Sequence, residues 1–520
     1  MVMQTPANGP SSACAARRSA RRGGLFVAIA ALLAASGAQA APSRPEVTID
    51  TGVLVGAQEP GVAVFRGIPY AAPPVGPLRW KATVPPTPWS GVRDAAAFGA
   101  ACPQDDAHKE AWALVGRKSE DCLTLNVWEP KGAHKAAVMV FLHGGGFTYG
   151  GAGVPLYDGA NLARRGVVIV TLNYRLGLLG YFAHPALTAE DPQGRLGNFG
   201  IMDQIEALRW VQRNIVRFGG DPANVTVFGE SAGAGTVQIL MGSDEAEGLF
   251  AKAVSESGAG GTPLPTIRNA ESQGVKFARS AGLANATAAD LRALPVEKVL
   301  GRAFPFIDGK VVRFSPGAPF HAGTEAKTPF IIGSNSGEAS LTSNTDTVAK
   351  MALGSDYPGF LDAYRRRPGA HAENAARDLS EDVDSVQESN FLADMHSANG
   401  APTYAYYFDE VPVGDRAKGL GAEHGGELEY LFGNKPAEHD WDDADRRVSK
   451  LMGDYWVRFA KTGDPNGAGA PTWLAVKGRP TDRLVLSAHT ATAKSTDLEE
   501  QVKARTLETV VKFWAAQAKP

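Results

Sequence analysis

The chain has 520 residues, of which 44% are hydrophobic and 21% charged, with 59 glycines and 34 prolines. That composition is ordinary for a globular protein with a large core and many turns, and it excludes the compositionally unusual classes. The formal charge of −3 offers no basic footprint for nucleic acid, and the length suits either several domains or one catalytic domain with long insertions.

The N-terminal segment stands apart. Arg17, Arg18, Arg21 and Arg22 precede an apolar run at residues 25–35, and Ala38-Gln39-Ala40 follows. A basic region, a short apolar region and a small-x-small exit predict a secretory signal peptide over residues 1–40. The run is too short to span a bilayer core as an anchor. Its paired arginines bear a weak likeness to a twin-arginine signal, so both export routes stay open, as do periplasmic and secreted destinations. Cys14 precedes the apolar run and is not placed as a lipid-modified residue at the cleavage point. Cleavage removes four arginines and no acid, taking the formal charge from −3 to −7. It leaves residues 41–520 as one expected domain, with no membrane span and no dividing linker.

Two cysteines then remain, Cys102 and Cys122. In an exported chain such a pair reads as a disulfide rather than as two separate buried thiols. Closing a loop of roughly twenty residues stabilises by about 3 kcal/mol on the chain-entropy estimate. The ten histidines form no HExxH pair and no metal-like spacing with the cysteines. Neither a metal nor another cofactor is expected.

Farther along, apolar runs rich in β-branched residues alternate with helical segments. Ala136–Leu142 and residues 167–172 are continuous apolar runs, which predicts strands buried on both faces. Ile205, Leu208, Val211 and Ile215 recur at helical spacing between residues 203 and 218, and Asp221-Pro222 follows as a break. Residues 225–228 (VTVF), 330–332 (FII) and 404–408 (YAYYF) predict further strands, and residues 340–401 predict a charged helical cap or side insertion. Strand, helix and strand in succession predict a twisted, mostly parallel sheet with helices on both faces.

Gly229-Glu230-Ser231-Ala232-Gly233 directly follows the strand at 225–228. In a G-x-S-x-G elbow the serine occupies a strained strand-to-helix turn, and flanking glycines relieve the crowding. Alone the pattern is weak; the strand before it and the small-residue helix start after it give it meaning. His143-Gly144-Gly145-Gly146-Phe147 follows the strand Ala136–Leu142 in the manner of an oxyanion loop. The backbone N–H groups of Gly145, Gly146 and Ala232 are candidate donors to a developing oxyanion, each worth about 100- to 1000-fold in rate. The loop has no GK[ST] ending, which argues against a phosphate site.

The stretch from Phe218 to Gly233, FGGDPANVTVFGESAG, resembles the serine signature of the type-B carboxylesterases, the cholinesterase-like family of the α/β-hydrolase fold. EDCLTLNVW at 120–128 is similar to that family's second signature. FRGIPYAAPPVGPLRW at 65–80, NYRLG at 173–177, GNFGIMDQ at 197–204 and TGDPN at 462–466 extend the likeness, which runs from Val47 to Phe513. It implies an α/β-hydrolase fold with cap-like insertions. It also implies an acid in a G-x-N-x-x-E context, matched by Gly333 through Glu338, and a histidine in an H-G-x-E-[LI] context, matched by His424 through Leu428. Ser231, Glu338 and His424 stand in the order this fold uses.

On this resemblance the chain is expected to hydrolyse small-molecule carboxylic esters through an acyl-serine intermediate. Ser231 is the nucleophile, His424 the general base and Glu338 the orienting acid, with activity rising with pH near neutrality. Glu230 reads either as a group that biases the site toward cations or as a buried structural carboxylate bound to neighbouring backbone, the latter favoured. Trp112 precedes Cys122 by ten residues, the spacing at which cholinesterases place a choline-binding tryptophan. Cation–π attraction would suit a quaternary ammonium there, but packing is the plainer reading. One rival is a catalytically silent binding or adhesion module, which the complete triad opposes. Another is a hydrolase of carbamates, amides or a specialised natural ester, which a triad does not distinguish from a simple esterase. Oligomeric state has no signature in the sequence.

Overall fold

The computed structural model describes residues 44–105, 115–192, 194, 196–258, 260–261, 263–341, 347–367, 374–478 and 481–517; the leader and Trp112 lie outside the described residues. In chain order the strands begin with β1 (Glu46–Ile49), β2 (Gly52–Val55), β3 (Ala57–Glu59), β4 (Val62–Pro69), β5 (Val92–Asp94), β6 (Thr124–Pro130) and β7 (Ala136–Leu142). They continue with β8 (Val168–Leu172), β9 (Gly220–Glu230), β10 (Lys252–Glu256), β11 (Phe330–Asn335), β12 (Thr403–Phe408), β13 (Asp482–Leu486) and β14 (Ala491–Lys494). Strands β1, β2 and β5 make a small sheet of their own. The other eleven form one sheet in the order β14-β13-β12-β11-β10-β9-β7-β8-β6-β4-β3. Every neighbour from β8 across to β13 is parallel. Antiparallel pairing is confined to β14 at one edge and to β3, β4 and β6 at the other.

A parallel sheet is covered on both faces, so its strands are apolar throughout rather than alternating. Strand β7 shows the consequence. Val138, Val140 and Leu142 join one core, with the helix Phe199–Asn214. Ala137, Met139 and Phe141 join the opposite core, with the helix Asp443–Thr462. The helix expected from Ile205, Leu208 and Val211 is Phe199–Asn214, and Ile215–Phe218 is a 3₁₀ turn that ends at Gly219, φ 69°. The strand expected at 225–228 begins earlier, at Gly220, and runs through Asp221-Pro222.

The charged segment after residue 340 is helical: Thr347–Leu353, Tyr357–Arg365, Ala375–Glu381 and Gln387–Ala398. Leu353, Tyr357, Tyr364 and Leu379 close a third, small core with Val502 of the C-terminal helix Asp497–Gln517. Buried Lys503 ties the same helix down, donating to Asp394 and Glu500 at 2.7 Å and to Thr481 at 2.8 Å. Cys102 and Cys122 are disulfide-bonded. Arg44–Pro520 form one compact unit, and among the described residues no helix is long and apolar enough to cross a membrane.

Candidate active site

Strand β9 ends at Glu230, and Ser231 turns the chain sharply into the helix Ala232–Met241. Its backbone is left-handed in φ, at 54° with ψ −120°, a conformation costly for a residue with a side chain. The Ser231 N–H holds the turn by donating to the Glu256 carbonyl at 2.9 Å. The glycine two residues on is a steric necessity. A Cβ on Gly233 would stand 1.9 Å from the Leu142 carbonyl oxygen, because the new helix starts pressed against the end of β7.

The loop after β7 supplies the other half. Gly145 has φ 97°, and a Cβ on it would meet the Tyr149 carbonyl oxygen at 2.1 Å. Its own carbonyl accepts from Thr148 and Tyr149 N–H at 2.9 and 3.1 Å, which turns the peptide tightly. Behind the loop His143 stacks on Tyr174 with ring centroids 4.4 Å apart, and the Tyr174 hydroxyl donates to the His143 carbonyl at 2.7 Å. Burial lowers the His143 ring to about 4, against a weaker opposing pull from the Gly144 carbonyl. His143 is therefore neutral at ordinary pH, and its Nδ1–H donates to Gly144 O at 2.9 Å.

Glu338 follows β11 and is buried. It accepts from Asn335 N–H at 2.7 Å, from the Ser257 hydroxyl at 2.6 Å and from His424 Nδ1. Burial alone acts to raise its carboxyl. The charge of His424 and these donors override burial and hold it below the ordinary carboxylate value. His424 sits on a loop bridged to Gly337 through Glu423, and its own N–H donates to Ser340 Oγ at 3.0 Å. Its Nε2 stands 3.0 Å from Glu230 Oε1, at an angle that completes no hydrogen bond. Burial opposes charge on the imidazole, but the carboxylates of Glu338 and Glu230 outweigh burial and raise it well above the ordinary histidine value.

Ser231, Gly145, Gly146, Glu230 and His424 line one cavity of about 760 Å³. Ala232, whose N–H is the remaining candidate donor, is buried directly behind Ser231. A serine, a carboxylate-backed imidazole and glycine N–H groups on one cavity are the parts that acyl transfer requires. Glu230 is buried, as the structural reading has it, yet its partner is the His424 imidazole rather than neighbouring backbone. The cavity rim carries Asp105, Glu423 and Glu438 against Arg302, and Glu429 is paired to His439 at 2.5 Å. A separate apolar cavity of about 290 Å³ near Trp80 and Phe182 contains none of these groups.

Sequence reasoning gave no role to Ser257, Asn335, Glu256 or Glu427, all of which touch this cluster. Two of them carried a signal: Asn335 stands inside the G-x-N-x-x-E motif and Glu427 inside the histidine motif.

The chain matches the model of the carboxylesterase family over residues 43–357 and 357–514. It belongs to the carboxylesterase family. A fumonisin B1 esterase of Sphingopyxis macrogoltabida is 34% identical over 491 residues, covering 88% of this chain and 90% of that protein. A para-nitrobenzyl esterase of Bacillus subtilis (strain 168) is 33% identical over 490 residues, 88% of this chain and 98% of that protein. A solved PNB esterase structure superposes with a TM-score of 0.78 at 32% identity, covering 88% of this chain and 99% of the other. This carboxylesterase is thus a serine ester hydrolase of type B, on an α/β-hydrolase fold.

Proposed function

We propose that the enzyme hydrolyses small-molecule carboxylic esters through an acyl intermediate on Ser231. The observation that carries this reading is that His424, paired to Glu338, lines the same cavity as Ser231, with the Glu338 carboxylate buried and held by two further donors. A serine hydroxyl is a poor nucleophile until a base takes its proton. In the proposed cycle Ser231 Oγ bonds to the ester carbon as its proton passes to His424 Nε2. Glu338 keeps Nδ1 protonated and stabilises the imidazolium without taking that proton. The N–H groups of Gly145, Gly146 and Ala232 hold the oxyanion. Collapse breaks the bond to the alcohol oxygen, which receives the proton from His424. Water then attacks the acyl carbon as it gives a proton to His424, and collapse breaks the bond to Ser231 Oγ, which takes that proton back from His424 as the acid leaves.

The names of the relatives support an ester rather than an amide or carbamate substrate. The excess of carboxylates at the rim supports uncharged or cationic esters over anionic ones. Residues 1–40 are read as a removed export signal, and the Cys102–Cys122 disulfide supports an oxidising destination. The silent-module alternative is set aside because no triad member is missing.

A series of short p-nitrophenyl esters tests the reading with the mature enzyme and its Ser231→Ala variant. Wild type is expected to turn over and the variant to fall by roughly a millionfold. If neither acts, and a serine-directed phosphonate leaves Ser231 unlabelled, the reading fails.

A further inference from the structure

The loop that carries two of the three proposed oxyanion donors is poor in side chains that could hold it. Residues 143–147 include three glycines, and glycine gives up more conformational freedom on folding than any other residue. Inside the loop, Thr148 and Tyr149 N–H reach the Gly145 carbonyl, and the Thr148 hydroxyl donates to the Gly146 carbonyl at 3.0 Å. At its crest the Gly177 N–H donates to the Phe147 carbonyl at 2.7 Å. Its exit is Gly150, φ 107°, which folds back on its entry: a Cβ there would stand 2.7 Å from His143 Nδ1 and 3.1 Å from the Gly144 carbonyl oxygen. A Cβ on Gly144 would in turn stand 3.0 Å from Ser231 Cβ. Where Gly150 is held therefore governs how the loop lies against the nucleophile.

One side chain takes both the N–H and the carbonyl of Gly150. The N–H donates to Gln104 Oε1 at 2.8 Å, and the carbonyl accepts from Gln104 Nε2 at 2.7 Å. The second hydrogen of Nε2 goes to the Cys102 carbonyl at 3.0 Å. Gln104 is only 6% exposed, so water does not compete for these bonds. Its mount is fixed as well. Cys102 is disulfide-bonded to Cys122, and the Cys122 carbonyl accepts from Asn173 Nδ2 at 3.1 Å. Asn173 Oδ1 accepts from the Ala152 N–H at 2.8 Å, which ties the chain just beyond Gly150 to the same place. The position offers one N–H and two carbonyls, and a primary amide answers it with one acceptor and two donors.

We propose that Gln104 is a positioning residue for ester hydrolysis: its amide clamps the exit of the glycine loop to the disulfide-bearing segment and thereby fixes the N–H groups of Gly145 and Gly146 toward the oxyanion. The inference rests on the proposed cycle, in which those N–H groups hold the oxyanion. Such donors stabilise the transition state because they are already in place and need no reorganisation at the moment of reaction. Gln104 does not itself line the cavity; it acts through Gly150. A loosened loop still admits substrate, so the loss falls on kcat rather than on KM.

The test compares a short p-nitrophenyl ester with its thionoester, C=S in place of C=O, in wild type, Gln104→Leu and Gln104→Glu. Sulfur is a weak hydrogen-bond acceptor, so the thiono substrate draws little on the oxyanion donors. Leucine removes all three bonds of the amide, whereas glutamate keeps its shape and its acceptor and removes both donors. In each variant kcat on the ester is expected to fall by about 100-fold with KM little changed. Thionoester turnover is expected to fall by less than about tenfold, so the ratio of the two rates drops by about tenfold or more. Both rates falling together at the wild-type ratio would mark a merely structural role and overturn the inference; so would variants as active as wild type. Amide hydrogen exchange in the wild-type enzyme decides the matter should neither variant fold. Gly150 N–H is expected to exchange as slowly as the amides of β7, and fast exchange overturns the clamp. Wild type inactive on both substrates would defeat the esterase cycle and this inference with it, whereas an active wild type with an unchanged ratio in the variants defeats this inference alone.

Discussion

Replacing Gly233 by alanine is expected to cripple the enzyme, whereas the same change at Gly235, on the same helix, is expected to be harmless. A Cβ at 233 would stand 1.9 Å from the Leu142 carbonyl oxygen, 2.7 Å from its carbon and 3.0 Å from the His143 carbonyl oxygen. All three are backbone atoms, so no side chain can swing aside. The helix Ala232–Met241 must then withdraw from β7 by roughly 1.4 Å to restore a close C···O approach of ~3.3 Å. That movement carries Ser231 and the Ala232 N–H away from Gly145 and Gly146, and a displacement of about 1 Å at reacting groups costs on the order of 100-fold. At Gly235 the nearest atom to a new Cβ is Phe147 Cζ at 3.8 Å, an ordinary contact. Alanine there adds about 0.5–1 kcal/mol of helix preference. The assay is kcat/KM on p-nitrophenyl acetate together with the thermal midpoint of each variant. Gly233→Ala retaining more than about a tenth of wild-type activity refutes the reasoning, and so does Gly235→Ala falling with it.

Glu338→Gln keeps the shape of the acid but donates where it should accept, so kcat is expected to fall by about 10⁴ with KM little changed. A loss below about tenfold would mean that Glu338 does not hold the tautomer. His424 is raised above the ordinary histidine value because Glu338 and Glu230 outweigh its burial, and it must be neutral to accept the serine proton. The acid limb of kcat/KM is therefore expected at a higher pH than unperturbed histidine, about 6.5, rather than at the neutral position the motif alone suggests. A limb at or below that value contradicts the arrangement. Replacing both Cys102 and Cys122 by serine opens a loop with a sequence separation of 20 and is expected to lower stability by about 3 kcal/mol. Urea denaturation monitored by tryptophan fluorescence reads that loss; an unchanged midpoint would show that the bond does not constrain the unfolded chain.

The parts legible in advance were those with local causes. Ala136–Leu142 is apolar at every position because both its faces are covered, and the same holds for residues 330–332; residues 168–172 admit one buried polar side chain, Thr171, whose hydroxyl donates to the Ala152 carbonyl at 3.0 Å. The elbow and oxyanion loop were legible because glycine marks close backbone approach, and Gly233 and Gly145 meet such approaches. Strand β10 escaped notice for the opposite reason. Its sequence, Lys-Ala-Val-Ser-Glu, places a charge at each end and reads as surface, yet every residue is buried. Lys252 donates to Asn224, and Glu256 accepts through Oε1 from Trp456, which is 200 positions away in the chain. No local pattern encodes those pairings.

The same division runs through the active site. Ser231, Glu338 and His424 each sit in a short motif whose backbone demands are local. The charge that sets the basicity of His424 has no such motif. It depends on parallel register: β10 pairs with β9 so that Glu256 lies beside Glu230, and β11 pairs with β10 so that Glu256 lies beside Gly333, close to the turn that carries Glu338. Side chains far apart in sequence are thus brought into one low-dielectric volume, where a single extra charge is felt strongly. Which groups react is therefore a matter of local motif, whereas the pH at which they react is a matter of sheet register, and only the second needs the whole fold to be known.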